Sequence, residues 1–287
     1  FMSENKMLVE DSLQRIHSIL DIRPLSNNES KVDIKDNSIE LKDVKFKYEN
    51  SKSNAIDGIS IKIKPNETIA LVGPSGSGKS TLANLISRFY DIDSGEILIG
   101  DVNVKDIEKK ELMNTISFVF QNSKLLKTSI YENVKMAKPE ATKVEVLHAL
   151  HLAQCDDIIK KLPKGIDTVI GTKGVYLSGG EEQRINIARI MLKDSKVVIL
   201  DEATAFADPE NEIQVQKAFE ELSKNKTVIM IAHRLSTIKN VDKIYVLNNG
   251  KIEEEGNHEE LLNKNGLYKE MWDNYQTSIS WKVGENV

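Results

Sequence analysis

The spacing of apolar and polar residues divides the chain into helical and strand-forming stretches. In the first segment, apolar residues recur at steps of four, three and four, at Val9, Leu13, Ile16 and Leu20. This spacing places them on one helical face and predicts a helix within residues 1–25. The helix is either packed on the rest of the chain or a connector from an upstream part. Residues 26–38 are mostly polar and are interpreted as a linker.

From Ile39 onward, short apolar or alternating runs are separated by helical stretches. The predicted strands cover Val44–Tyr48, Ile59–Ile63, Thr68–Val72, Gly95–Ile99, Ile116–Phe120, Val197–Leu200, Thr227–Ala232, Lys243–Leu247 and Lys251–Glu255. The predicted helices cover Lys79–Tyr90, Tyr131–Leu162 and Asn211–Leu222. The all-apolar run Val197–Leu200 is typical of a parallel strand covered on both faces, and Asn248-Asn249-Gly250 indicates a hairpin. Alternation of this kind predicts an α/β fold with a parallel sheet.

Composition narrows the class of protein. The chain has 287 residues, with 39 Lys and Arg against 44 Asp and Glu, so its net charge is −5. This balance argues against a broad nucleic-acid-binding surface. The single cysteine, Cys155, cannot form an internal disulfide, which favours a reduced, cytosol-facing compartment, and we interpret it as a packing residue in a helix. No apolar run approaches the roughly 18 to 20 residues of a membrane helix. Because the chain begins with Phe1, we expect a fragment of a longer protein.

A phosphate-binding loop follows the strand Thr68–Val72. Its residues match G-x-x-x-x-G-K-[ST], the Walker A pattern, and are Gly73, Pro74, Ser75, Gly76, Ser77, Gly78, Lys79 and Ser80, with Thr81 next in the chain. Glycines let backbone N–H groups surround phosphate oxygens, and the following helix presents its N-terminus to the same anion. Lys79 is predicted to reach the β- and γ-phosphates of a nucleotide, and Ser80 to bind Mg²⁺.

Two carboxylates end the apolar strand Val197–Leu200. Asp201 fits the Walker B aspartate, which holds Mg²⁺. Glu202 is adjacent and is predicted to act as general base on a water aimed at the γ-phosphate. The pair therefore favours hydrolysis over nucleotide binding alone.

The segment Leu177-Ser178-Gly179-Gly180-Glu181 resembles the LSGGQ signature of ATP-binding cassette (ABC) proteins, with Glu181 where Gln is commoner. Ser178, Gly179 and Gly180 are expected to form a second helix N-terminus with exposed N–H groups, which makes a second anion cradle. The resemblance implies that two cassettes pair head to tail. Each signature then caps the ATP held by the Walker A loop of the partner.

Four further roles are implied by this resemblance. Tyr48 looks like the aromatic residue that stacks on adenine, although a strand core residue is the alternative. Gln121 looks like the Q-loop glutamine, which contacts Mg²⁺ or the attacking water. His233 looks like the switch histidine, which bonds the γ-phosphate and orients Glu202. Asp208 matches the D-loop aspartate at the interface between cassettes.

The resemblance spans residues 39–276. It implies a P-loop NTPase (RecA-like) α/β core with an antiparallel β subdomain and an inserted α-helical signature subdomain, at about residues 122–180. Residues 277–287 are a C-terminal tail. The exporter-type branch is the most similar, and residues 1–25 resemble the segment that leaves the last membrane helix of half-transporters. The implied partners are a second cassette and a transmembrane domain of the same polypeptide, at the cytoplasmic face of a membrane.

Three departures from the family pattern stand out. Residues Ala205-Phe206-Ala207 precede Asp208 where Ser-Ala-Leu is usual. Thr172 lacks the charge that exporters usually carry at this position, and Glu181 replaces glutamine. No departure removes a consensus hydrolytic residue.

We therefore expect a Mg²⁺-dependent ATPase cassette that powers transport of a substrate whose identity and direction stay open. One alternative is a soluble ABC ATPase that works on ribosomes or DNA. The single Walker A motif, the lack of sustained heptads and the lack of a basic patch argue against it. A second alternative is a regulatory module that binds nucleotide without hydrolysis, and Glu202 with His233 argue against that one.

Overall fold

Two β-sheets of different connectivity organise the chain. The computed structural model describes residues 2–21, 25–28, 32–49, 51–120, 124–171, 175–201, 209–232 and 234–284. The strands are β1 Ile39–Phe46, β2 Ile56–Ile63, β3 Thr68–Val72, β4 Ser94–Ile99, β5 Val102–Asn103, β6 Ile116–Val119, β7 Val197–Asp201, β8 Thr227–Ile231, β9 Lys243–Asn248 and β10 Lys251–Gly256. The helices are α1 Met2–Leu20, α2 Lys79–Ile86, α3 Lys109–Thr115, α4 Ile130–Lys135, α5 Lys143–Leu152, α6 Asp156–Lys161, α7 Gly179–Lys193, α8 Pro209–Ser223, α9 His258–Asn263 and α10 Leu267–Gly284. Short 3₁₀ turns occupy Gly165–Asp167 and Leu235–Ile238.

The larger sheet has six strands in the order β10-β9-β3-β8-β7-β6. The five strands from β9 to β6 are parallel, and β10 pairs antiparallel with β9, which confirms the predicted hairpin. The smaller sheet has the order β2-β1-β4-β5, and each of its pairs is antiparallel. The predicted parallel α/β core and antiparallel subdomain are therefore both confirmed.

Alternate residues of the six-stranded sheet enter different cores, because successive side chains of a strand point to opposite faces. Leu71, Ile199 and Ile229 face the antiparallel sheet and α2. Val198, Leu200 and Val228 face a second core that includes helices α4 to α8. Each of these six residues is buried, which explains why β3, β7 and β8 are almost wholly apolar.

Several predicted elements have different boundaries in the structure. α2 ends at Ile86 rather than at Tyr90, since Arg88 adopts a φ of 53° that no helix continues. The long helical stretch Tyr131–Leu162 divides into α4, α5 and α6. Thr142 begins α5 with a capping box, and Gln154 has a φ of 58° just after it ends. Local turn chemistry thus separates helices that a single apolar periodicity had joined.

The first helix does not pack on the rest of the described chain. Its four apolar stripe residues are exposed, at 58% for Val9, 47% for Leu13, 51% for Ile16 and 72% for Leu20. The polar segment that follows is instead held against the fold. Arg88 Nη2 donates to the main-chain oxygen of Ser26 at 2.9 Å, and Lys109 Nζ donates to that of Leu25 at 2.6 Å. None of the described helices combines the length and apolar content needed to cross a membrane.

Cys155 is fully buried in the helical core, so its interpretation as a packing residue is confirmed. It lies at the N-cap of α6 rather than inside a helix. Burial raises the pKa of its thiol to about 12, so the side chain is not a reactive nucleophile.

Candidate nucleotide-binding site

The loop between β3 and α2 has a backbone that only glycine allows at two positions. Gly73 has a φ of 145°, and a Cβ added there would lie 2.0 Å from the main-chain oxygen of Leu247. Gly78 has a φ of 105°, and its Cβ would lie 2.7 Å from the main-chain oxygen of Ala55. Both values are closer than any real Cβ contact, so the loop is shaped by its neighbours as well as by its own sequence.

Lys79 is the first residue of α2 and is only 5% exposed. Its ammonium group donates to the main-chain oxygens of Gly73 at 2.9 Å and Pro74 at 2.8 Å. A third hydrogen bond runs to Ser77 Oγ at 3.3 Å. A buried ammonium must be hydrogen-bonded, and here the loop itself supplies the acceptors. The positive charge is thereby held inside the loop where a phosphate is expected.

A turn from the other end of the chain supports this loop. The Gly250 N–H donates to the main-chain oxygen of Ser77 at 3.1 Å, and the Asp57 N–H donates to that of Gly250 at 2.8 Å. A Cβ at Gly250 would lie 2.8 Å from the main-chain oxygen of Ala55. The residue spacing predicted a hairpin at Asn248-Asn249-Gly250 but no contact with the phosphate loop. No local signal carries this information, because the contact depends on β9 lying beside β3.

The outer rim of the phosphate loop is open. Ser75, Gly76 and Ser80 are exposed, whereas Ser77 is buried. No atom of the described residues lies within 4 Å of the position that a Cβ of Gly76 would take. An anion can therefore approach the backbone of this rim without displacing a side chain of the described part of the chain.

Tyr48 lies just beyond the end of β1, is half-buried and packs against the core below the antiparallel sheet. Its hydroxyl forms a 3.1 Å hydrogen bond with Thr81 Oγ1, in which either oxygen can be the donor. The ring meets Phe46 and Tyr90 edge-on, with centroids 4.8 Å and 5.5 Å away. Two residues predicted to contact nucleotide, Tyr48 and Thr81, are thus brought together beside the first turn of α2.

The carboxyl ends of the parallel strands lie at one edge of the sheet. The register aligns Leu71 with Ile231 and Ile231 with Asp201, so Asp201 is two strands from the strand that leads to the phosphate loop. At about 4.8 Å per strand, this separation is roughly 10 Å. Asp201 is half-buried. Ligands of open parallel sheets bind at this edge.

Four predicted site residues lie outside the described residues, namely Gln121, Glu202, Asp208 and His233. Thr172, one of the departures from the family pattern, also lies outside them. The four site residues follow β6, β7 or β8 in the chain. Their roles are therefore proposed from their positions in the sequence.

The signature segment begins α7, as predicted, with Ser178 as its N-cap. The Glu181 N–H donates to Ser178 Oγ at 3.3 Å, and the Ser178 N–H donates to Glu181 Oε2 at 2.8 Å. This reciprocal capping box satisfies two N–H groups at the helix start. Ser178 and Gly179 are exposed, so the segment faces away from the cassette that carries it.

A buried arginine anchors the start of α7 to its neighbours. Arg184 is 1% exposed and makes a two-pronged ion pair with Asp157, at 2.7 Å and 3.1 Å. A further bond from Arg184 reaches Asn211 Oδ1 on α8 at 3.0 Å. A Cβ at Gly180 would lie 2.8 Å from the Cβ of Asn211, so Gly180 allows α7 and α8 to approach closely.

Partial burial opposes ionisation of Asp157, but its hydrogen bond to Arg184 and the charge of that residue outweigh burial, so the pKa of this carboxyl is lowered. The residue spacing did not point to Asp157 or Asn211, because each is 27 positions from Arg184. Both residues hold the signature segment in place.

The donor set fits a nucleotide with a magnesium ion. The phosphate loop offers backbone N–H groups, an open rim and the Lys79 ammonium, which are the groups that bind phosphates. Ser80 and Asp201 supply a hydroxyl and a carboxylate, which are the hard oxygen ligands that Mg²⁺ prefers.

The chain is similar in sequence to known membrane-transport proteins. A family model described as "ABC transporter" matches residues 56–205. The chain is 44% identical over 261 residues to an ATP-dependent lipid A-core flippase of Haemophilus influenzae, covering 90% of this chain and 44% of that protein. It is 45% identical over 241 residues to a putative multidrug export ATP-binding/permease protein of Staphylococcus aureus, covering 84% of this chain and 42% of that protein.

Among solved structures, the fold is similar to a bacterial Atm1-family ABC exporter with ATP bound. The TM-score is 0.82 and the sequence identity is 34%, over 91% of this chain and 46% of that chain. The chain thus spans less than half the length of each of these three proteins.

Proposed function

The chain belongs to the ABC transporter family, and from this premise we propose that it binds and hydrolyses ATP to power transport across a membrane. The relatives named above are a lipid flippase, a multidrug export protein and an exporter. The observation that carries the proposal is the phosphate loop, where glycine-only backbone and the buried Lys79 ammonium are held in place by β9 and the turn at Gly250.

Different residues of the loop and its surroundings bind different parts of ATP. Backbone N–H groups of the Gly73–Thr81 stretch bind the phosphates, and the Lys79 ammonium moves from the loop carbonyls to the β- and γ-phosphates. Tyr48 stacks on the adenine ring, and its bond to Thr81 ties that ring to the first turn of α2. Positioning and electrostatics supply most of the rate in phosphoryl transfer.

Hydrolysis depends on residues at the carboxyl edge of the sheet. Ser80, Asp201 and Gln121 would hold Mg²⁺, which would supply positive charge to the phosphate oxygens. Glu202 accepts a proton from the attacking water, and His233 orients Glu202 and contacts the γ-phosphate. Asp201 is held at the end of β7 by its register with β8.

A second cassette completes the site. Ser178, Gly179 and Gly180 of one copy cap the ATP held by the other, and Asp208 lies at the same interface. Ser178 and Gly179 are exposed, and the capping box leaves the hydroxyl hydrogen of Ser178 available to an incoming phosphate. The exposed anion cradle supports this head-to-tail arrangement.

The transmembrane partner is proposed to lie in the same polypeptide, with the cassette on the cytoplasmic face of the membrane. Two exposed surfaces support this arrangement. One is the apolar stripe of α1. The other is an aromatic cluster of Phe89, Phe118 and Phe120, in which Phe118 and Phe120 stack at 4.4 Å and Phe120 is 52% exposed. Exposed apolar clusters of this kind mark protein contacts.

The proposal is tested by the variant Glu202→Gln in Mg-ATP. Removal of the general base is expected to lower ATP turnover by at least about a hundredfold. ATP binding and the unfolding midpoint should stay unchanged, and the variant should accumulate as a dimer. Glu140→Gln is the matched control, because Glu140 is an exposed carboxylate of the helical subdomain. Full turnover in Glu202→Gln contradicts the assigned base, and absence of ATP binding in the parent chain contradicts the function.

A further inference from the structure

The carboxylate of Glu181 lies inside the signature segment rather than beside it. Its Oε2 accepts the Ser178 N–H at 2.8 Å, and its own N–H donates to Ser178 Oγ at 3.3 Å. One lone pair of the Ser178 hydroxyl is therefore occupied, and its hydrogen remains available for an acceptor outside the helix. A glutamine could accept the Ser178 N–H through its amide oxygen and donate its own main-chain N–H to Ser178 Oγ, without the negative charge.

The capping box of α5 shows a capping glutamate whose charge is paired with a cation. In α5, Glu145 closes the box with Thr142 and also forms a 2.7 Å ion pair with Lys138. Across the described ranges, no cation forms a salt bridge with Glu181. The nearest arginine along α7, Arg184, is buried and pairs with Asp157. Among the residues that the structure describes, the charge of Glu181 therefore has no ion-pair partner at the place where the proposed function brings a phosphate.

An anion bound by the Ser178 hydroxyl would lie on the order of 6 Å from this carboxylate, about two hydrogen-bond lengths. Like charges at that separation, half exposed to solvent, repel measurably. The repulsion acts only when the signature segment meets the γ-phosphate. It therefore opposes closure of the dimer and leaves binding of ATP to the phosphate loop unaffected.

We propose that Glu181 is a positioning residue that also limits the lifetime of the ATP-bound dimer. The capping bonds orient Ser178 toward the phosphate of the partner copy, and the charge weakens the closed state so that it separates readily. This inference rests on the proposed head-to-tail dimer.

The test compares dimer dissociation constants by sedimentation in Mg-ATP, with every chain carrying Glu202→Gln so that ATP persists. Glu181→Gln is expected to lower the dissociation constant of the dimer by a factor of about three to ten for each of its two ATP sites. The gain should shrink as ionic strength rises from about 0.05 M to about 0.5 M, because salt screens the repulsion. ATP affinity of the monomer should not change.

Glu182→Gln is the matched control, because Glu182 carries the same charge one residue further along α7 and takes no part in the capping box. It should change the dimer constant less than Glu181→Gln does. Glu181→Ala removes the acceptor of the Ser178 N–H as well as the charge, so this variant should lower the unfolding midpoint. Glu181→Gln keeps the acceptor and should leave the unfolding midpoint unchanged.

Equal dimer constants for Glu181→Gln and the parent, or a gain that does not depend on salt, overturn the inference and leave the proposed function standing. Absence of any ATP-dependent dimer in the parent overturns the proposed function itself.

Discussion

Two helix starts in this chain carry glycines and exposed N–H groups, yet they are built in different ways. The phosphate loop before α2 is shaped by distant parts of the chain, since Gly73 lies against Leu247 and Gly78 against Ala55. The signature segment before α7 is closed by its own residues, Ser178 and Glu181. The first has its cation, Lys79, buried within it, whereas the second carries an acidic side chain and faces solvent.

This difference indicates which part of a shared ATP site each helix start supplies. A loop that is locked by its own fold and holds a buried ammonium can bind phosphate before any partner arrives. A self-capped helix start that faces outward, with a carboxylate in its cap, binds an anion only when another molecule presents one. The contrast supports a division of labour between two copies of the chain.

The largest expected effect comes from Gly73→Ala. The added Cβ would lie 2.0 Å from a backbone oxygen at a φ of 145°, so the loop and β9 must separate. We expect a loss of about 3 kcal/mol or more in the free energy of unfolding, with loss of ATP binding. Urea denaturation and titration with a fluorescent ATP analogue measure the two effects.

Gly76→Ala is the control for this variant. Gly76 also has a positive φ, 78°, but its added Cβ would have no neighbour within 4 Å among the residues that the structure describes. Gly76→Ala should lower the free energy of unfolding by only about 1 kcal/mol, because backbone strain is its single cost. Equal losses in the two variants would show that crowding by β9 does not shape the loop.

An intermediate effect is expected from Ser178→Ala. Loss of the N-cap should lower the free energy of unfolding by about 1 kcal/mol, because one N–H of α7 loses its acceptor. ATP turnover should fall by a larger factor, since Ser178 is proposed to bind the γ-phosphate. Thr142→Ala removes the same kind of cap from α5, away from the site, and should cost similar stability with normal turnover. If both variants reduce turnover equally, the signature segment acts only through stability.

The smallest effect concerns pH and Glu145, whose capping box resembles that of Glu181 but has a cation attached. Its hydrogen bonds to Lys138 and then to Thr142 lower the pKa of Glu145 to about 2 from an ordinary 4.5. Because the folded pKa is depressed, this contribution is complete above about pH 4.5 and is lost as pH falls toward 2. The difference in unfolding midpoint between the parent and Glu145→Gln should therefore narrow over that range. A difference that stays constant would mean that Glu145 acts through packing.

Much of the fold follows from local pattern. The strand Thr68–Val72 was predicted to the residue, because a short apolar run that ends at a glycine has few alternatives. The stretch Tyr131–Leu162 was predicted as one helical region and contains three helices, because the capping box at Thr142 and the positive φ at Gln154 override the periodicity. The predicted strand Val44–Tyr48 includes Tyr48, whereas β1 ends at Phe46 in the structure.

The sequence by itself determined the chemical groups of this protein and the starts of its helices: Lys79, Ser80 and Asp201 in the first site, and the Ser178–Glu181 box in the second. These depend on residues within a few positions of one another. Tertiary structure decided how they are held. Gly73 lies against Leu247, Ser77 is bonded to Gly250, and Arg184 pairs with Asp157. These contacts join residues that are 27 to 174 positions apart in the chain. They depend on the order of the strands and on the packing of the helices, which local residue spacing does not predict.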